Sequence, residues 1–329
     1  MAVDKVLLAA PRGFCAGVEM AIKALSWMVE AFDPPVYCYH EIVHNRVVVD
    51  RFRDLGVVFV DDIDEVPDGA PLMLSAHGSA PEVVEAARAQ AGFVVNAVCP
   101  LVTKVHHEVK TRAGKGFTVV YVGHHGHDEA VGTMAVAPDD TRLVETEADV
   151  AALADPGGPV ALLAQTTLSH HDWAGVLDAA RDRWPDLWMP GRSDLCFATT
   201  NRQSALQEIA PRCDAIVVIG SANSSNTVAL EKVAVAAGAP RVVRVNSAEE
   251  VPPDLSGTIG VTAGASAPEE LVDAVIARLA PRDGVEQVRI TAEDEYFPPP
   301  RELRDLMGPD AVARDREIAA SDVLAELGR

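Results

Sequence analysis

The chain has 329 residues, with 28 Lys plus Arg against 49 Asp plus Glu and a formal net charge of −21. A surface this acidic argues against nucleic acid or an anionic membrane as partner, while leaving room for a small anion in a local amide-rich pocket. The 48% hydrophobic share, rich in Ala and Val and only 5% aromatic, suits a large core of helices on buried parallel strands, split into two or three domains.

In chain order, KVLLA predicts a first strand, followed by the loop PRGFCAG and a helix from about Val18. The apolar run from Val6 to Ala10 stops at Pro11-Arg12, too short for a signal-peptide core. No stretch approaches the roughly 20 apolar residues of a membrane span. The expected setting is therefore cytoplasmic, with reduced thiols. PLMLSA then leads to HGSAPEVVEAARA, FTVVYVG to HHGHDEAVGT, and PVALLA to QTTLSHHDWAGVLDAAR. AIVVIG leads to SANSSNT with a helix from about Val228, and TIGVTA leads to GASAPEELVDAVIARL. Three of these helices carry capping signals: Ser79 with Glu82, Ser266 with Glu269 and, more weakly, Ser169 with Asp172.

Strand alternating with helix predicts parallel sheet. The recurrence predicts three pseudo-repeated small α/β domains, spanning about 1–98, 99–194 and 195–283, around a central site. A tail at 284–329 begins with a strand-like VEQVRITAED and is expected to pack partly on the first domain, its last twenty residues disordered.

Ligands of open α/β sheets bind beyond the carboxyl ends of the strands, where every unusual polar loop of this chain falls. Cys15, Cys99 and Cys196 each stand at a helix start, where the helix dipole is expected to lower a thiol pKa. If the domains face one another, three thiolates converge on a metal site, either zinc or an iron–sulfur cluster with one open iron. The alternative is five buried thiols acting as small hydrophobes, as Cys38 and Cys213 are expected to do. His44, His77, His124 and His127 lie in the polar loops or next to strand ends, the last three among glycines, and SANSSN offers hydroxyls and helix N-terminal amides to phosphate. Glu129 is either a solvated loop acid or, in a closing cavity, a carboxyl that delivers protons with Thr166 and Thr167 as relay. Neither a Walker loop nor a G-x-G-x-x-G turn is present, which argues against a nucleotide cofactor.

At these residues the chain resembles a known family. PRGFCAGV, HEIVHN, SAHG, CPLVTKVH, GHHGHDEAVGTM, QTTLS, CFATTNRQ, SSN and VTAGASAP appear in the order of the LytB-type family of 4-hydroxy-3-methylbut-2-enyl diphosphate reductases. EDEYFPPPRELR resembles that family's C-terminus. The resemblance implies a [4Fe–4S] cluster on Cys15, Cys99 and Cys196. It also implies reductive removal of an allylic hydroxyl as water, ending the non-mevalonate isoprenoid pathway. It makes Glu129 the proton donor and Thr166 the orienting hydroxyl, and it places Thr199 in the cavity. It assigns the diphosphate to His44, His77, His127, Ser224, Ser225, Asn226 and Ser266. Ala222 stands where the family often has lysine, and His125 and Asp128 fall in a variable stretch expected to touch no ligand.

Two rival functions use the same residues: a hydro-lyase with the open iron as Lewis acid, and a non-enzymatic metal or cluster sensor. Without a flavin or nicotinamide motif, electrons are expected from a ferredoxin or flavodoxin. Such a carrier would dock on a basic patch that includes Arg12, Lys104 or Arg202.

Overall fold

The computed structural model describes residues 2–327. Among these, twelve strands run in chain order as Ala2–Ala10 (β1), Val36–Tyr39 (β2), Val57–Val60 (β3), Pro71–Leu74 (β4), Phe93–Asn96 (β5), Thr118–Val122 (β6), Thr141–Val144 (β7), Val160–Ala164 (β8), Ala215–Ile219 (β9), Val242–Val245 (β10), Ser256–Ala263 (β11) and Val285–Arg289 (β12). They form three sheets, ordered β10-β9-β11-β1-β12, β3-β2-β4-β5 and β7-β6-β8, and every pairing is parallel. Both β8 and β9 are buried along their whole length. That is why these segments read as unbroken Val, Leu, Ile and Ala runs rather than alternating ones.

The three sheets repeat one pattern. Cys15 follows β1, which lies beside β11, and Cys99 follows β5, which lies beside β4. Ahead of Cys196 a single residue takes the corresponding place: Trp188 forms a parallel bridge to Ala161 of β8. The repeat is therefore permuted against the expected limits. Segment 1–98 does not hold together as one sheet, because β1 completes the sheet of β9–β11 instead of joining β2–β5. The cause is the pairing of Val6, Leu7 and Leu8 with Ile259, Gly260 and Val261, which buries both faces of β1.

The tail is ordered further than expected. β12 pairs with β1, and Ala320–Leu327 is helical, with only 328 and 329 lying outside the described residues. Leu303, Ala320 and Leu324 join Ala21, Leu25 and Met28 of the helix Ala16–Ala31 in one buried cluster. Asp315 fixes the same junction, accepting from Trp27 Nε1 at 3.1 Å and Tyr296 OH at 3.0 Å. No described helix is long and apolar enough to cross a membrane.

Leu303 is wholly buried where the tail meets the Cys15 helix. Leu303→Ala is expected to cost about 2–5 kcal/mol in urea unfolding. A loss below about 1 kcal/mol would mean that the tail is not part of the core.

Candidate functional site

The carboxyl ends of the three sheets face one cavity, with an empty volume near 780 Å³ counted out to its mouth. Cys15, Cys99 and Cys196 all line it, together with His44, His77, His127, Glu129, Thr166, Thr199, Ser224, Ser225, Asn226 and Ser266. These residues come from nine segments spread along the chain, so the sheets and not local sequence bring them together.

Each of the three cysteines is the N-cap of a helix, preceding Ala16–Ala31, Pro100–Ala113 and Phe197–Ile209. Each is held the same way. Its backbone N–H donates to the carbonyl two residues beyond a strand end: Cys15 to Ala265 at 3.3 Å, Cys99 to Ala76 at 3.0 Å and Cys196 to Thr166 at 3.0 Å. Gly17 lets two of the thiols approach, since a Cβ there would lie 2.8 Å from Cys99 Sγ and 3.9 Å from Cys15 Sγ. Cys38 and Cys213 are buried in the core instead, and Cys213 Sγ donates to the Ile209 carbonyl.

The expected lowering of the thiol pKa is overturned at Cys99 and Cys196. Burial, reinforced by the charge of Cys15, pushes Cys99 up and Cys196 up to about 11. Desolvation outweighs the helix N-terminus at both sites. Burial disfavours ionised Cys99 and Cys196 unless a cation is beside them, and three soft donors lining one cavity fit a thiolate-bound metal cluster.

Across the cavity His44 and His77 stack with centroids 3.8 Å apart, and His127 meets them edge-on at 5.2 and 6.1 Å. Nε2 of both His44 and His77 is buried without a hydrogen-bond partner. A group left so costs about 1–3 kcal/mol, a cost that a bound anion relieves. Burial, then the neighbouring imidazoles, hold His77 well below the ordinary range, and burial takes His127 down to about 4. His127 caps its helix by accepting from Glu129 N–H at Nδ1, 3.2 Å away, which leaves its proton on Nε2 as a donor.

Glu129 is buried, and burial raises its pKa to about 7 against two bonds that pull the other way. Those bonds come from Thr166, N–H to Oε1 at 2.8 Å and Oγ1 to Oε2 at 3.0 Å. The same Thr166 peptide accepts the Cys196 N–H, so one residue joins the acid to a thiol. Thr199 is fully buried, with Oγ1 3.1 Å from Cys196 Sγ, and Asn226 reaches Thr199 Oγ1 at 3.4 Å and the Ala265 N–H at 2.9 Å. Ser224 caps its helix by accepting from Thr227 N–H, while Ser225 shares a hydroxyl network with Thr167 and the fully buried Gln165.

Several expectations need correction. Ser79 and Ser266 cap no helix: Ala80 and Pro268 hold the cap positions, and Ser266 Oγ donates instead to the His44 carbonyl at 2.9 Å. Ser169 does cap, accepting from Asp172 N–H. Asp128 is no bystander, since it meets His40 Nδ1 at 3.0 Å and His44 Nε2 at 3.8 Å. His44, His77 and Asp128 thus offer ligand atoms within 4.8 Å of one another, although Asp128 is already engaged by His40. Of the three cations expected to dock the carrier, Arg202 is fully enclosed and Arg12 is paired with Glu269, while Lys104 stays exposed, 3.4 Å from Asp194. Gln165, Phe197 and Phe297 went unread. Phe197 and Phe297 line the cavity, and all three lie inside quoted motifs, Gln165 in QTTLS, Phe197 in CFATTNRQ and Phe297 in EDEYFPPPRELR, without having been assigned a role.

Fold and site together define an α/β enzyme class in which three thiols face a cluster of imidazoles and hydroxyls across one cavity. The chain belongs to the LytB protein family, whose profile matches residues 6–280. It is 46% identical over 316 residues to the 4-hydroxy-3-methylbut-2-enyl diphosphate reductase of Rhodopirellula baltica, covering 94% of this chain and 99% of that one. Its identity to reductase 2 of Mycobacterium bovis is 47% over 309 residues, covering 91% of this chain and 94% of the relative. The solved E-1-hydroxy-2-methyl-but-2-enyl-4-diphosphate reductase of Plasmodium falciparum superposes with a TM-score of 0.89 at 31% identity, covering 93% of this chain and 98% of that one.

Because His127 is neutral in the free cavity and a diphosphate would favour its charged form, anion binding should take up a proton there. The window runs from about pH 4, the free value, to the ordinary imidazole value of 6.5 or above, and this contribution to affinity falls as pH rises through it. Calorimetry with pyrophosphate at about pH 6, in buffers of different ionisation enthalpy, should show less uptake for His127→Asn than for wild type. Equal uptake would contradict the assignment.

Proposed function

We propose that this chain reduces 4-hydroxy-3-methylbut-2-enyl diphosphate to isopentenyl diphosphate and dimethylallyl diphosphate, using a [4Fe–4S] cluster on Cys15, Cys99 and Cys196. The observation that carries the reading is the meeting, in one cavity, of three thiols from three sheets, a carboxyl with a pKa near 7 and three clustered imidazoles, two of which bury an unpartnered Nε2. Relatives that nearly span the chain and bear this activity in their names support it. Two electrons and two protons enter, the allylic carbon–oxygen bond breaks, and the hydroxyl leaves as water. When bound, the cluster supplies the electrons and an iron free of protein ligands that acts as a Lewis acid.

The side chains supply the rest. His44, His77 and His127 receive the diphosphate with Ser224, Ser225, Asn226 and Ser266, exchanging orphaned polar atoms for charge-assisted hydrogen bonds. Glu129, part-protonated near neutral pH, gives its proton to the departing hydroxyl oxygen. Thr166 holds both carboxylate oxygens of Glu129 and orients that hydroxyl, and Thr199 supports Cys196. Val43, Ala76, Val102, Phe197 and Phe297 keep the reacting end dry. Electrons come from a ferredoxin or flavodoxin in a reducing cytoplasm.

Glu129→Gln is expected to lower kcat by about 10²–10⁴-fold with little change in KM. In wild type, activity should fall as pH rises through about 7, as the carboxyl loses its proton, and this limb should vanish in the variant. Folding gives an independent check. A carboxyl raised from 4.5 to about 7 favours the native state below 4.5 and loses that advantage as pH rises through 7. The variant should therefore gain stability relative to wild type at alkaline pH. An unchanged pH profile would remove Glu129 as the acid.

A further inference from the structure

Arg202 lies on the Cys196 helix, wholly buried, and every N–H of its guanidinium is used. Nε donates to the Gly13 carbonyl at 3.1 Å, and Nη2 donates to the same carbonyl at 2.8 Å and to that of Phe14 at 3.1 Å. Nη1 donates to the Ala198 carbonyl at 3.0 Å and to the Glu293 carboxylate, 3.0 Å from each oxygen. Glu293 also accepts from Asn201 Nδ2 at 2.9 Å.

Gly13 and Phe14 are the two residues before Cys15, and Ala198 is the second residue after Cys196. One planar cation therefore grips the loop of one thiol and the helix turn of another, 181 positions away in the chain. The backbone bonds of the cysteines do not do this, because Cys15 is tied to Ala265 and Cys196 to Thr166, in different sheets. None of the hydrogen bonds of Arg202 reaches the Cys99 helix. Gly13 is shaped for the contact: its φ of +68° turns the loop, and a Cβ there would meet the Ala267 carbonyl at 3.2 Å. Glu293 balances the buried charge from the tail segment that places Phe297 against the cavity.

We propose that Arg202, neutralised by Glu293, is the positioning residue that holds the Cys15 thiol in register with the Cys196 thiol and carries a compensated charge beside the centre they form. A planar fork of five donors is needed, which lysine cannot supply. The proposal rests on the cluster reading above, and the test separates the two.

In metal-free protein, per-residue alkylation by iodoacetamide, read by mass spectrometry, should quicken severalfold at Cys15 and Cys196 in Arg202→Lys. Cys99, Cys38 and Cys213 serve as internal references and should keep their wild-type rates. In reconstituted protein, loss of iron to a chelator should be about 10–100-fold faster in Arg202→Lys, the scale on which groups supporting metal ligands act. Glu293→Gln keeps an acceptor oxygen but removes a negative charge, so it should raise the cluster midpoint potential. Acceleration of all five cysteines together, of none, or a potential unmoved by Glu293→Gln would each overturn the proposal. Wild-type protein that takes up no iron and sulfide would overturn the cluster reading instead, and the alkylation pattern would then decide on positioning alone.

Discussion

Three backbone hydrogen bonds set the geometry on which the site depends. Each runs from a cysteine N–H to the carbonyl two residues past a strand end, at Ala76, Thr166 and Ala265. Each bond makes its cysteine a helix N-cap at the carboxyl edge of a different parallel sheet. Three such edges facing one cavity bring the thiols to it through the backbone, and the Arg202 side chain ties the Cys15 loop to the Cys196 helix. This preorganisation makes a set of donors scattered over most of the chain behave as one centre.

Burial governs the charge states around that frame. It raises Cys99, Cys196 and Glu129 and lowers His77 and His127, pushing each of these groups toward its neutral form. A chain with a net charge of −21 thereby keeps a pocket that does not repel a diphosphate. The same desolvation that would be costly for an empty ionised site is what lets a cation among the thiols and an anion among the imidazoles each find compensation. The fully paired Arg202 is the exception, a buried charge retained because a carboxylate and three carbonyls answer it.

Much of this was legible in the sequence because buried parallel strands are written as short runs of Val, Leu and Ile, and the polar loops after them stand out by contrast. The helix-start position of Cys15, Cys99 and Cys196 could be read locally, since Pro100 and the following helical patterns mark it. The sheet that takes β1 could not, because its partners lie some 250 residues away and nothing local encodes that pairing. Ser266 carries a capping signature, but its hydroxyl is spent on the His44 carbonyl, a tertiary contact that overrides the motif. Arg202 looked like a surface cation for the same reason: composition shows a charge, and only packing shows that the charge is enclosed.

The central claim is that these elements make a reductive centre rather than a Lewis-acid or sensory one. Its most direct test is anaerobic turnover of 4-hydroxy-3-methylbut-2-enyl diphosphate by the cluster-loaded protein, with and without a chemical reductant, followed by product analysis. Formation of both five-carbon diphosphates only when reductant is present is the predicted result. Elimination of water without reductant, or no turnover by protein carrying full iron and sulfide, would contradict it.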